Sequence, residues 1–108
     1  MTPATNYAAS DLQRETADSL QGLVALQFGT NWCGYCQNAQ AVIEPVLASR
    51  PDIVRYLIED GPGRPLGRSY RVKQWPTLVL LRDGKEIGRV VRPQDATPLQ
   101  DLVQSASR

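Results

Sequence analysis

The stretch from Leu23 to Cys36, LVALQFGTNWCGYC, decides the fold of this chain. Its first part, Leu23 to Thr30, is mostly apolar and includes Val and Phe, which indicates a strand buried on both faces. From Cys33 the apolar side chains recur at helical spacing, which predicts a helix of about 17 residues that ends near Arg50. The two cysteines, Cys33 and Cys36, therefore lie where a buried strand passes into a long helix.

Outside this unit, turn and capping patterns mark the remaining elements. Ser10 and Gln13 fit a capping box, which predicts a helix over about 11–20 that Gly22 ends. The dipeptide Asp83-Gly84 predicts a two-residue hairpin turn between antiparallel strands. Thr97, followed by proline, predicts the start of a final helix. The predicted strands are 53–59, 77–82 and 85–91, and the predicted helical segments are 68–70 and 98–106.

The order of these elements predicts the fold class. The first strand–helix–strand unit should be a right-handed parallel crossover, and the hairpin should add antiparallel strands to the same sheet. Helices then cover both faces, which gives an α/β fold, a three-layer α/β/α sandwich around a central mixed β-sheet. We expect one domain over 1–108, in which 1–9 is either poorly ordered or an edge strand.

Composition excludes several classes of function. The chain has 108 residues, a formal charge of +1, two cysteines and no histidine. Without histidine there is no Cys-His or Ser-His catalysis, and two cysteines cannot complete a four-cysteine metal site within one chain. The near-neutral charge predicts no binding to nucleic acid or membrane. No signal segment is visible, so we expect a cytoplasmic protein, or a periplasmic one if a signal has been removed.

The cysteine pair is the remaining candidate for chemistry. A helix N-terminus presents free N–H groups and partial positive charge to Cys33, which stabilises its thiolate. Cys36, one turn further in, should be shielded and less acidic. This asymmetry predicts that Cys33 attacks a substrate disulfide and that Cys36 resolves the mixed disulfide. Two other interpretations remain open, half of a zinc site shared with a second chain and an inert structural disulfide.

The segment Trp32-Cys33-Gly34-Tyr35-Cys36, together with Trp75-Pro76-Thr77, resembles the thioredoxin family over about 20–103. The resemblance implies that Pro76 is cis and lies beside the cysteines. It also implies that Trp75, with Pro76, offers backbone groups to an extended substrate. Among the motif residues, Trp32, Gly34 and Tyr35 are expected to border the sulfurs and contribute to substrate binding.

The chain departs from the family pattern at two positions. Gln27 stands where thioredoxins have a buried acid linked to proton transfer at the resolving thiol. An amide cannot titrate, so either water deprotonates Cys36 or another acid, such as Glu59, reaches the site. Arg92 stands where the family usually has a small residue, often glycine. Its side chain either points at the site, stabilising the Cys33 thiolate and binding substrate, or is an ordinary surface arginine.

We therefore predict a thiol–disulfide oxidoreductase, a monomer that acts on proteins containing disulfides. The Cys33–Cys36 pair carries the electrons, so no metal or organic cofactor is expected. The resemblance implies a thioredoxin-reductase-like or other thiol electron donor. Two alternatives remain: a thioredoxin-fold binding module whose redox activity is incidental, and a glutathione-dependent reductase similar to glutaredoxins, which also use a C-x-Y-C pair. Glutaredoxins typically have Val before the cis-proline, where this chain has Trp75.

Overall fold

The computed structural model describes residues 7–106, which form four strands and four helices. The strands are β1 (Leu23–Gly29), β2 (Val54–Glu59), β3 (Thr77–Arg82) and β4 (Lys85–Val91). The helices are α1 (Arg14–Asp18), α2 (Gly34–Ala48), α3 (Pro65–Ser69) and α4 (Thr97–Ala106). The hairpin strands β3 and β4 have the predicted bounds.

The strands form one mixed sheet in the order β2-β1-β3-β4. β1 pairs in parallel with β2, and antiparallel pairing joins β1 to β3 and β3 to β4. The central strand β1 is buried along almost its whole length, as its continuous apolar sequence predicts. Its carboxyl end delivers the chain to the cysteine pair at the start of α2.

Helices cover both faces of the sheet. α2 and α4 pack on one face around Ile43, Leu80 and Leu99. α1 and α3 pack on the other face around Leu26 and Phe28. The predicted three-layer α/β/α sandwich is confirmed.

Several predicted helix ends differ from the observed ones, and two of the differences follow from hydrogen bonds of neighbouring side chains. The Ser10 hydroxyl accepts the Leu12 N–H at 3.1 Å, so it forms a local turn and caps no helix. α1 accordingly begins only at Arg14, without a side-chain cap. The Thr97 N–H donates to the Asp95 carboxylate at 2.9 Å, so Thr97 lies inside α4 instead of capping it. α2 ends at Ala48, two residues before the predicted end at Arg50.

The N-terminal segment lies along the edge of the sheet at β2. Ala8 makes a parallel bridge to Ile58, in which the Ala8 N–H donates to the Leu57 carbonyl at 3.3 Å and the Glu59 N–H donates to the Ala8 carbonyl at 2.9 Å. The first six residues, part of the segment left open by the sequence, lie outside the described residues. Within the described part of the chain, no helix combines the length and apolarity that crossing a bilayer requires.

Candidate active site

The two thiols occupy the first turn of α2 in different environments. Cys33 is the N-cap residue, and its Sγ accepts the Cys36 N–H at 3.3 Å. Its side chain is only 8% exposed, and that of Cys36 is 1% exposed. Burial, followed by a hydrogen bond from the Cys36 thiol to Cys33, raises the pKa of Cys36 to about 11. The predicted shielding of Cys36 is confirmed, and Cys33 itself is more enclosed than its place at a helix end suggests.

Three aromatic side chains form the outer rim of the site. Trp32 and Tyr35 are 76% and 59% exposed, which is unusual for side chains of their size. The indole of Trp32 meets that of Trp75 edge to face, with ring centroids 5.8 Å apart. Gly34, between the cysteines, is exposed, and a Cβ added to it would meet nothing within 4 Å. The motif residues therefore surround the sulfurs as the resemblance implies.

The Trp75–Pro76 peptide is cis, also as the resemblance implies. The Trp75 indole Nε1 donates to the Asp60 carboxylate at 2.8 Å. Asp60 follows β2, so this bond holds the indole against the loop after that strand. Trp75 also packs against the buried cluster that contains both cysteines. The segment therefore lies beside the thiols.

Arg92 connects two parts of the rim. Its Nε donates to the Trp75 carbonyl at 2.8 Å, and its guanidinium carbon lies 3.9 Å from the centre of the Tyr35 ring. Its backbone N–H donates to the Pro76 carbonyl at 2.9 Å. Arg92 therefore lies at the site, and its effects on the Cys33 thiolate and on substrate binding stay predictions. Its recorded contacts hold Trp75 and Tyr35, and none is made to the Cys33 sulfur.

Gln27 lies on the inner side of the site, where it is 1% exposed. Its Nε2 donates to the Tyr7 hydroxyl at 2.7 Å and to Gln40 Oε1 at 3.0 Å. Tyr7 packs in the same cluster as the two cysteines. Glu59, one candidate for replacing the family acid, is instead half-exposed and paired with Arg64 at 3.2 Å. A phenol that accepts a hydrogen bond from Gln27 therefore lies in the same buried cluster as the inner thiol.

Sequence reasoning missed three residues of this site: Tyr7, Gln40 and Asp60. Gln40 could have been found, because it follows Cys36 by four residues and so shares its helix face. Tyr7 and Asp60 reach the site through the sheet edge and a loop, and neither carries a local signal. Among the described residues, no group of three or more Cys, Asp or Glu side chains is placed to hold a metal ion.

Comparison with known proteins agrees with this geometry. A family profile described as Thioredoxin matches residues 5–105. The thioredoxin of Chlamydia trachomatis is 37% identical over 93 residues, which cover 84% of this chain and 90% of that protein. The reduced form of thioredoxin 2 from Pseudomonas aeruginosa is 46% identical, with 94% of each chain covered and a TM-score of 0.85. A mutant thioredoxin from Halobacterium salinarum is 32% identical, with 95% and 90% covered and a TM-score of 0.75. With its buried strand, cysteine pair and cis-proline, the chain belongs to the thioredoxin family and is a thiol–disulfide oxidoreductase.

Proposed function

We propose that Cys33 is the nucleophile and Cys36 the resolving thiol in the reduction of protein disulfides. The difference in environment between the two sulfurs carries this assignment. Cys33 Sγ accepts a backbone N–H at the start of α2, so a thiolate there is stabilised by a hydrogen bond and by the positive end of the helix. Cys36 is almost fully buried, and its raised pKa keeps it protonated at neutral pH.

The reaction then runs in two displacements. The Cys33 thiolate attacks one sulfur of the substrate disulfide, and the other sulfur leaves as a thiolate that takes up a proton. Cys36 loses its proton and attacks Cys33 Sγ, which releases the second substrate thiol and leaves the Cys33–Cys36 disulfide. Two electrons pass from the protein to the substrate, so the chemistry needs no metal or organic cofactor.

The rim supplies the substrate-binding surface in this proposal. The backbone of Trp75 and Pro76 would bind an extended segment beside the thiols, and the exposed rings of Trp32 and Tyr35 would contact the substrate on either side. Arg92 already binds the Trp75 carbonyl, so its side chain positions this segment. Gly34 lies exposed between the cysteines, and the space beside its Cα is open.

Membership of the family implies partners of two general kinds, proteins with disulfides and a reductase. We propose that a thioredoxin-reductase-like donor restores the dithiol and that the protein works as a monomer in the cytoplasm. The family match favours this cycle over a glutathione-dependent one of the glutaredoxin type. The binding-module alternative predicts slow or absent turnover, which the following experiment measures.

The experiment is reduction of insulin by dithiothreitol, comparing the wild type with Cys33→Ser and Cys36→Ser. We expect both variants to lose turnover for different reasons. Cys33→Ser should form no mixed disulfide with insulin, whereas Cys36→Ser should accumulate one, visible by mass spectrometry. Serine differs from cysteine by one atom, so each variant is the packing control for the other. Mixed disulfides trapped on Cys36 alone would reverse the assignment, and wild-type turnover at the rate of dithiothreitol alone would support the binding module.

A further inference from the structure

We propose that the Tyr7 hydroxyl takes the place of the family's buried acid, as a neutral hydrogen-bond donor to the Cys36 thiolate whose direction is set by Gln27 and Gln40. The proposal rests on the function assigned above, because it concerns the step in which Cys36 resolves the mixed disulfide. It differs from acid catalysis in that Tyr7 keeps its proton throughout.

Contacts on both sides hold Tyr7 against Cys36. The Asn31 side chain binds the Tyr7 backbone twice, accepting its N–H at 2.8 Å and donating to its carbonyl at 3.0 Å. The next residue, Ala8, bridges to β2. Cys36 Sγ and the Tyr7 ring both lie against the bare Cα of Gly29, where an added Cβ would be 2.6 Å from Sγ and 2.8 Å from Tyr7 Cζ. Tyr7 and Cys36 therefore pack side by side in one buried cluster, which places the phenol beside the inner thiol.

The direction of the hydrogen bonds follows from an ion pair at the far end of the amide chain. Arg55 pairs with Glu44 at 2.6 Å, and its hydrogen bonds lower the pKa of Glu44, so this carboxylate is ionised and can only accept. Gln40 Nε2 donates to it at 3.3 Å, which turns Gln40 Oε1 toward Gln27.

Gln27 must then present its Nε2 to this oxygen, at 3.0 Å. The same Nε2 lies 2.7 Å from the Tyr7 oxygen and donates its second hydrogen there. The Tyr7 oxygen therefore accepts from Gln27, and its own proton is free to point at Cys36. The ionised Glu44 thus fixes the orientation of a hydroxyl buried beside the thiols.

The environment of the phenol makes it a donor and not a base. Burial raises the pKa of Tyr7 well above its ordinary value, so it is neutral at every pH at which the protein works. Its hydrogen bond and one from the Thr30 backbone both lower the pKa of Cys36, opposing the effect of burial. Two donors thus converge on the inner sulfur when it becomes a thiolate.

In the resolving step the Cys36 proton passes through water to the leaving substrate thiolate. The Cys36 thiolate forms a bond to Cys33 Sγ, and the bond between Cys33 Sγ and the substrate sulfur breaks. Tyr7 transfers no proton in this step. Its hydrogen bond stabilises the Cys36 thiolate, which is the attacking group. Removing the hydroxyl should therefore slow this step alone.

The test is the reaction of reduced protein with one equivalent of 5,5′-dithiobis(2-nitrobenzoate), followed by stopped flow. Attack by Cys33 releases the first thionitrobenzoate, and resolution by Cys36 releases the second. For Tyr7→Phe we expect an unchanged first phase. Loss of one hydrogen bond to a charged group lowers the thiolate fraction of Cys36 about tenfold. The higher basicity of that thiolate restores about threefold of its reactivity, so the second phase should slow about threefold at neutral pH.

The matched control is Tyr70→Phe, which removes a buried hydroxyl from the opposite face of the sheet. It should leave both phases as in the wild type. Gln40→Met, which removes the acceptor that orients Gln27, should slow the second phase by a smaller factor, again without affecting the first. A second phase that is equally fast in Tyr7→Phe and Tyr70→Phe overturns the proposal. A first phase that persists at the wild-type rate in Cys33→Ser would instead overturn the assignment of Cys33.

A measurement on the wild type covers the case in which Tyr7→Phe does not fold. With tyrosine labelled by ¹³C at Cζ, the Tyr7 signal should shift when the cysteine pair is oxidised and as Cys36 titrates at alkaline pH. In Gln40→Met that shift should be smaller, because the hydroxyl no longer has a fixed direction. A Tyr7 signal that ignores both the redox state and the titration of Cys36 contradicts the proposal.

Discussion

The two sides of the cysteine pair differ in their exposure and in the contacts that hold their side chains. On the outer side, Trp32 and Tyr35 expose more than half of their surface and are held by ring contacts and by Arg92. On the inner side, Cys36 and Gln27 are each 1% exposed, and hydrogen bonds tie their neighbours together. The outer side is open to solvent, whereas the inner side is buried and held by hydrogen bonds.

This difference indicates where each side should be sensitive to change. A buried polar group without its partner costs more than a lost surface contact, because it cannot turn to water instead. Variants of the inner side should therefore affect stability and the resolving step. Variants of the rim should have small effects on stability.

The largest effect on stability is expected for Gly29→Ala. Its new methyl group would lie 2.6 Å from Cys36 Sγ and 2.8 Å from Tyr7 Cζ, so one of these must move. Overpacking of this kind costs about 2 to 3 kcal/mol. Urea unfolding of the reduced protein measures the loss.

Gly34→Ala is the matched control for this prediction, because a Cβ there meets nothing within 4 Å. In a helical position, alanine should leave stability unchanged or raise it by up to about 1 kcal/mol. If both variants were equally stable, the inner side would have room to adjust, and the comparison between the two sides would fail.

The next effect is a loss of stability of the reduced protein at alkaline pH. The pKa of Cys36 is raised to about 11, so its folded form holds the proton more tightly than the unfolded chain does. The stability from this difference is complete below pH 9, the ordinary pKa of the thiol, and is lost as the pH rises through 11, an effect of about 2 kcal/mol. Urea unfolding between pH 8 and 11 should show wild type losing this much more than Cys36→Ala. If the stability of the two proteins changed with pH in the same way, the raised pKa of Cys36 would be contradicted.

Much of the fold could be predicted from the sequence, because its signals are local. The continuous apolar run of β1, the Asp83-Gly84 turn and the helical spacing after Cys33 each determine one element, and their order determines the sheet. The predicted starts of α1 and α4 were wrong, because Ser10 accepts the Leu12 N–H and Asp95 accepts the Thr97 N–H. Capping patterns do not show which amide a hydroxyl or carboxylate will bind.

The residues of the site also differ in whether a local sequence signal shows them. The rim residues Trp32, Tyr35 and Trp75 were found because they adjoin motifs in the chain. The inner network could not be found in the sequence. Tyr7 is brought to Cys36 by a bridge at the sheet edge, and the role of Gln27 depends on its contacts with Gln40 and Tyr7. The substitution of the family acid by Gln27 was visible in the sequence. What replaces the acid depends on contacts between distant segments.

The smallest effect on stability is expected for substitutions of Arg92 at the rim. Measuring it requires two variants. Arg92 has φ of 47°, a left-handed conformation that costs a residue with a Cβ about 1 kcal/mol. Arg92→Gly and Arg92→Ala lose the same contacts to Trp75 and Tyr35, but only glycine relieves the backbone. We expect urea unfolding to place Arg92→Ala about 1 kcal/mol below Arg92→Gly, with the glycine variant near wild type. Equal stability of the two variants would contradict backbone strain at this position, and any loss shared by both would then measure the side-chain contacts of Arg92.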